Sequence, residues 1–229
     1  VTVVEKSTLP VRTAEAMDAM GIDVAIASMD PPGLFDSIAR QWNFPWYQIG
    51  ADERTYYAYS GRAEQWLQSH VQDYDAVIVH GLWQFHGYAV SKASRSSGVP
   101  YYVFSHGMLD PWFNRRYPLK RIKKQAYWWF REFAVVKHAR AMLFTTEEEM
   151  RLAAQSFRPY TCRPAVVGYG PSGPPRSHEA LTAEFRNEAA EWGQKPYLLY
   201  MGRIQEKKGV DLLLHAYGEI RRGRPDIPE

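Results

Sequence analysis

Apolar runs of strand length alternate with amphipathic runs of helical length along the whole 229-residue chain, and this rhythm limits the fold more than any single residue does. Residues 22–27 (Ile-Asp-Val-Ala-Ile-Ala) read as a strand after a helix at about 10–20. Residues 76–79 (Ala-Val-Ile-Val) read as a strand after a helix at about 59–72, whose Tyr59, Ala63, Trp66, Leu67 and Val71 share one face. The strand at 101–104 follows a helix at about 85–97, with Gly98-Val99-Pro100 as the stop signal. The strand at 141–144 follows a long helix at about 118–138, and 165–167 is a further short strand. Strands alternating with helices predict a parallel sheet covered on both faces. In such sheets ligands gather beyond the carboxyl ends of the strands, so the loops after the strands are where chemistry is expected.

The segment from Gly168 to Pro175 is rich in Gly and Pro and predicts an interdomain linker. A polar helix at about 178–192 follows, and the alternation restarts with a strand at 197–201. The expected division is a doubly wound α/β domain over 1–170, a linker and connecting helix over 171–195, and the first β-α unit of a second domain over 196–229. Leu198, Leu199, Leu212, Leu213 and Leu214 call for a larger sheet around them, so a piece of a longer protein is expected. A hydrophobic fraction of 45% suits a globular core and excludes a disordered chain. A net charge of +3 is too small to argue for nucleic acid, and no recognition motif accompanies it. The single cysteine, Cys162, excludes a disulfide framework and a cysteine-cluster metal site, and suits a reducing cytoplasm. No apolar run is long enough to span a bilayer, and no signal-peptide pattern is visible.

Two neighbouring strands each deliver a His-Gly pair to the ligand edge. One is His80-Gly81-Leu82-Trp83; the other lies in Ser105-His106-Gly107-Met108-Leu109-Asp110-Pro111-Trp112. An imidazole there can donate to a hydroxyl or phosphate oxygen, or accept a proton. A histidine at a strand end is often structural; two in equivalent positions favour function, most of all at His106. Its loop adds a carboxylate, Asp110, and an aromatic wall, Trp112. With His80 and Trp83, these residues suit recognition of a sugar, since flat apolar faces stack on rings while polar groups bind hydroxyls. Core packing is the alternative for Trp83 and Trp112. Metal binding is not expected: His80 and His86 are poorly spaced as ligands, and no Asp-x-Asp pair stands at a strand end. Neither a Gly-x-Ser-x-Gly elbow nor a Gly-x-Gly-x-x-Gly fingerprint is present.

In the helix at 118–138, Leu119, Ile122, Ala126, Trp129, Phe133 and Val136 form the expected buried stripe. A second stripe carries Lys120, Lys124, Trp128 and Arg131, with Arg121 and Lys123 alongside and Arg115 and Arg116 before it. Cations mixed with aromatics over 115–131 suit an anionic membrane surface; a solvated basic face is the plainer reading. Thr145-Thr146-Glu147-Glu148-Glu149 is a helix start, with Glu149 in reach of a capping box with Thr146. Near the end of the chain, Met201-Gly202-Arg203 leads through Lys207-Lys208-Gly209 into a stretch of helical spacing. Arg203 and Lys208 beside a helix N-terminus make either a diphosphate grip or a solvated charged loop.

Taken in order, these motifs resemble the group 1, family 4 glycosyltransferases of the two-Rossmann GT-B fold. The matches are Arg12-Thr13-Ala14-Glu15 through Gly21-Ile22-Asp23-Val24, the two His-Gly loops, Thr145 to Glu149, and Gly202-Arg203 with Lys207-Lys208-Gly209. The resemblance implies retaining, metal-independent transfer of a sugar from a nucleotide-diphosphate-sugar to a glycan or lipid-linked acceptor, with no cofactor beyond the donor. It implies that Arg203 and Lys208 neutralise the donor diphosphate, and that His106 sits beside the transferred sugar as a positioning and charge-stabilising group. By the same analogy, the setting is polysaccharide or glycolipid assembly in the cytoplasm, at the inner face of the plasma membrane. The chain departs from the family where Thr8-Leu9-Pro10 replaces an expected Gly-Gly-Pro after a weak first strand at 1–4, and the family's Glu-seven-Glu motif does not occur before Glu229. A non-catalytic GT-B-like module that holds a glycan or lipid-linked sugar is the competing expectation. A GT-B-fold epimerase is a third, disfavoured by the motif order around His106.

Overall fold

The computed structural model describes residues 2–4, 9–30, 40, 42–50, 57–168, 178–188, 197–224 and 227. They belong to two compact units, 1–170 and 171–229.

The first unit is built on a seven-stranded sheet: β1 (Thr2–Val4), β2 (Ile26–Ser28), β3 (Trp46–Gln48), β4 (Val77–His80), β5 (Tyr101–Phe104), β6 (Ala141–Phe144) and β7 (Pro164–Val166). The spatial order is β3-β2-β1-β4-β5-β6-β7. Every neighbouring pair is parallel. This is the doubly wound, Rossmann-like arrangement that the alternation predicted. The weak first strand expected at 1–4 forms as β1 inside the sheet, third of seven, between β2 and β4. The chain order reverses across β1 and β4, so the switch point that favours ligands lies beside the carboxyl end of β4.

The local sequence explains most helix limits. Helix α1 spans Leu9–Ala19 and α2 spans Gly61–His70. Ser60 caps α2 by accepting from Ala63 N at 3.1 Å. Helix α3 spans Phe85–Ser97 and stops at Gly98, whose φ of 83° places it in the left-handed region. Helix α4 (Pro111–Arg116) and α5 (Pro118–Tyr127) each begin with proline at the first turn. Helix α6 (Phe133–His138) and α7 (Glu147–Ala153) complete the unit. Val77, Val79, Val103, Met142 and Phe144 are fully buried, as expected of a sheet covered on both faces.

The helix expected at 118–138 is not continuous. A π turn at Trp128–Glu132 separates α5 from α6, with Phe133 N donating to Trp128 O. The expected buried stripe is correspondingly wrong over its first half. Leu119 is 81% exposed, Ile122 68%, Trp129 59% and Phe130 80%, whereas Trp128 is fully buried. Trp128 stacks on Phe157 and Tyr160 and donates from Nε1 to Pro159 O. The extra residue in the turn shifts the phase, so Val135 and Val136 regain the core.

In the second unit, α8 (His178–Glu188) and α9 (Val210–Gly223) flank a 3-10 turn at Glu206–Lys208. The strand expected at 197–201 does not form: these residues join no ladder among the described residues. A strand exists only through a neighbour's backbone groups, and none of the described residues of this unit supplies them. Residues 169–175 of the expected linker and 189–192 of the polar helix lie outside the described residues.

Candidate active site

Three adjacent strands, β4, β5 and β6, deliver the polar groups of the carboxyl edge. His80 is the last residue of β4 and pairs in register with Phe104, the last of β5. His106 follows two residues later, at φ 48°, a backbone conformation that non-glycine residues adopt rarely and at a cost. His80 Nδ1 and His106 Nε2 lie 2.9 Å apart. Their planes differ by 17°, and the His106 ring lies flat against Phe104 at 4.6 Å. His86, the second residue of α3, places Nε2 3.1 Å from the His80 carbonyl oxygen.

Burial shapes the protonation of all three rings. It pushes His80 down to about 3, helped by the nearby His106 and His86. It pushes His86 down to about 4, against the hydrogen bond to the His80 backbone. It also lowers His106, against the opposing pull of the Glu149 carboxylate. All three imidazoles are therefore neutral at neutral pH.

Glu149 holds the site together. One carboxylate oxygen accepts from Ser105 Oγ at 2.6 Å and Gly107 N at 2.7 Å. The other accepts from Thr145 N at 2.8 Å and Thr145 Oγ1 at 2.7 Å. One side chain thus ties the loop after β5 to the loop after β6, with His106 between two of its contacts. Burial opposes ionisation, but the bonds from Ser105, Thr145 and Gly107 outweigh it and hold the carboxyl below its usual range. The capping box read from the sequence forms only in half. Thr146 Oγ1 accepts from Glu149 N at 3.1 Å, while the Glu149 carboxylate reaches Thr145 instead.

The loop after β4 is anchored from behind. Gly81 has φ 92°, so glycine is favoured by conformation; a Cβ there would meet the flexible end of Met108, Cε, at 3.3 Å. Trp83, at φ 77°, donates its N–H to Glu132 Oε1 at 3.0 Å. Glu132 is fully buried within the π turn, and burial raises its carboxyl to about 7 against the Trp83 N–H and Lys124. Lys124 lies over the Trp83 ring at 4.3 Å.

The site residues expected from the sequence separate clearly. His80 and His106 come together, but His80 is buried, and its expected contact with a sugar gives way to a contact with His106. Trp83 is 6% exposed and packs on Phe157 and Trp128, which leaves no ring face for a sugar; core packing was the correct reading. Asp110 Oδ1 accepts from Trp112 N at 2.8 Å and caps α4. Trp112 is partly exposed and packs edge-on against Phe113 at 5.2 Å. Arg203 and Lys208 lie in the second unit, both exposed, on either side of the turn that leads into α9. Gly209 stands at the N-cap of α9 with φ 64°, and a Cβ on Gly202 would meet the Tyr200 hydroxyl at 3.0 Å.

Sequence reading missed two groups. The clamp of Glu149 was taken as a cap because its Thr-x-x-Glu spacing explained it locally. Asp30, buried just beyond the carboxyl end of β2, accepts from Ser28 Oγ at 2.8 Å, and nothing in its neighbours marked it. A cavity of about 520 Å³ opens at the opposite, amino edge between Asp18, Asp23, Phe44 and Asp75, and holds none of these site residues.

Residues 10–170 match the family model described as "Glycosyl transferase 4-like domain". No curated protein sequence matches the chain. Among solved structures, MurG of Acinetobacter baumannii aligns over 82% of this chain and 52% of its own, at 14% identity and a TM-score of 0.44. The chain thus spans about half the length of that structure.

Proposed function

The chain belongs to the glycosyl transferase 4-like family, and from that premise we propose that it serves retaining, metal-independent transfer of a sugar from a nucleotide-diphosphate-sugar to a glycan or lipid-linked acceptor. The observation that carries the reading is His106, held at the carboxyl edge by Glu149 and His80, beside the switch point of the sheet. A neutral imidazole fixed there can orient a sugar without forming a covalent bond to it. Arg203 and Lys208 are the groups assigned to the leaving diphosphate, where developing charge is met by fixed cations and a helix N-terminus. In this reading the reaction belongs to polysaccharide or glycolipid synthesis.

A membrane-facing role follows from the segment 115–131. Leu119, Ile122, Trp129 and Phe130 turn outward among Lys120, Arg121 and Lys123, and 111–131 contains no acidic residue. Apolar side chains ringed by cations suit the inner, anionic face of a plasma membrane. No helix among the described residues is long and apolar enough to cross one. Flotation with vesicles containing phosphatidylglycerol tests this: Leu119→Glu with Ile122→Glu is expected to abolish binding, and binding retained by that variant would remove the assignment.

Radiolabelled nucleotide sugars, offered with lipid extracts to the polypeptide that carries this sequence, test the reaction. Transfer that persists in EDTA supports the reading. Transfer that EDTA abolishes overturns metal independence, and no transfer from any donor favours a non-catalytic glycan-binding module. Arg203→Ala is expected to raise the donor KM by roughly tenfold or more, as loss of a charge-assisted contact does.

A further inference from the structure

His80 and His106 share one hydrogen bond, between Nδ1 of the first and Nε2 of the second. A neutral imidazole carries one proton, so one ring donates and the other accepts. The two directions are not equivalent here. If His106 donated, the proton of His80 would sit on Nε2, a buried atom with no partner among the described residues. If His80 donates, only a lone pair is left at that atom. A buried N–H without an acceptor is the rarer and costlier of the two. His86 follows the same rule: its Nε2 faces a carbonyl oxygen and must carry the proton, so its buried Nδ1 keeps only a lone pair.

We propose that His80 is a positioning residue that sets the tautomer of His106: His80 donates through Nδ1, His106 accepts at Nε2, and the His106 proton is placed on Nδ1. This deepens the proposed function, and its meaning for the reaction rests on His106 lying at the reaction centre. A ligand that approaches His106 at Nδ1 then meets an N–H donor. The atom this donor binds is an oxygen that accepts, in a hydroxyl or a phosphate, and His106 is not the base that removes the acceptor's proton. The surroundings support a fixed neutral pair. Phe104 stacks on His106 and lies near-parallel to His80, which keeps both planes aligned for an in-plane bond. Among the described residues, His86, which contacts the His80 carbonyl, and Glu149, on the far side of the loop, act on these rings. Glu149 favours a proton on His106, but burial of both rings opposes it.

Long-range imidazole ¹⁵N NMR on the full chain reads the tautomer directly. The chain has seven histidines, and the signals missing from His106→Gln assign His106. The expected pattern at neutral pH is a protonated Nδ1 and an unprotonated Nε2. His80→Phe keeps the ring's bulk but removes the donor; His106 should then populate both tautomers. His80→Asn places an amide near the lost Nδ1 and should restore the single form. A proton on Nε2 of His106 in the wild type overturns the proposal without recourse to any variant, and so does an unchanged pattern in a folded His80→Phe. In the transfer assay, His80→Phe should lower kcat by roughly tenfold with little change in KM, the size of one misoriented hydrogen-bond donor, and His80→Asn should recover it. The expected spectra with no sugar transfer from any donor would count against the proposed function while leaving the tautomer assignment standing.

Discussion

The carboxyl edge of the sheet and the segment Pro118–Phe130 treat polarity in opposite ways. At the edge, polar groups are drawn inward and tied to one another: one Glu149 carboxylate accepts four hydrogen bonds, and His80 meets His106 below the surface, with His80 Nε2 left as a bare lone pair. Along the helix, apolar groups are pushed outward, with Leu119 and Phe130 among the most exposed side chains of the first unit. The first arrangement fixes atoms to within a hydrogen bond's tolerance, as a reacting centre requires. The second fixes nothing by itself and leaves apolar area in water, which the proposed membrane contact would cover. The two meet at the π turn, whose Trp128 enters the core while Trp129 stays outside, and whose Glu132 holds the Trp83 loop beside the histidines.

The sharpest test of this contrast uses the two neighbouring tryptophans. Trp128→Ala should cost about 3–5 kcal/mol in urea unfolding, the usual loss for a buried large aromatic. Trp129→Ala should cost less than about 1 kcal/mol. Equal losses would mean that the inward and outward faces are not distinct. Next in size, Glu149→Ala leaves four donors without their acceptor at a half-buried position, and about 2 kcal/mol of stability should go with it. Its kcat should fall roughly tenfold or more because the His106 loop loses its tie, and an unaffected kcat would detach that loop from the reaction.

The dependence of stability on pH separates the two regions by sign. His80 and His86 hold folded values near 3 and 4, against 6.5 for an ordinary histidine. The unfolded chain therefore takes up protons that the folded chain refuses, and stability present above pH 6.5 is lost as the pH falls toward 4 and 3. Glu132 is raised from 4.5 to about 7. Its contribution is full below pH 4.5 and is lost as the pH rises through 7. Glu132→Gln keeps an acceptor for Trp83 N and should remove the alkaline loss, worth about 3 kcal/mol. Melting profiles from pH 4 to 9 check both signs; an unchanged alkaline limb in Glu132→Gln would show that this carboxyl does not titrate there. At the small end, Leu119→Glu with Ile122→Glu should alter stability by less than about 0.5 kcal/mol, since both positions face solvent. A larger loss would mean that this face packs within the fold.

Local signals were readable wherever backbone chemistry or sheet burial forced them. The strands β4, β5 and β6 showed as short apolar runs, Gly98 as a helix stop, and the two His-Gly pairs as strand-end loops. The phase of 118–138 was not readable, because a helical period has no mark for a turn that adds one residue. Any of Trp128, Trp129 and Phe130 would satisfy a core on hydrophobicity alone. Trp128 is chosen by Phe157, Tyr160 and the Pro159 carbonyl, some thirty residues downstream. An even longer separation hid the clamp, since Glu149 meets Ser105 and Gly107, 44 and 42 residues away, only after β5 and β6 have paired.

The helix-strand alternation of the first unit, the parallel sheet and the identity of the histidine-bearing loops were thus settled by the sequence, because periodicity and glycine placement act over a few residues; the strand β3 and the break in 118–138 were not. Which histidine is buried, which carboxylate ties the loops, and which face of the basic helix looks outward were settled only in the tertiary structure. Those outcomes depend on which buried polar atom finds a partner and which ring finds a cavity, and both are supplied by segments far apart along the chain.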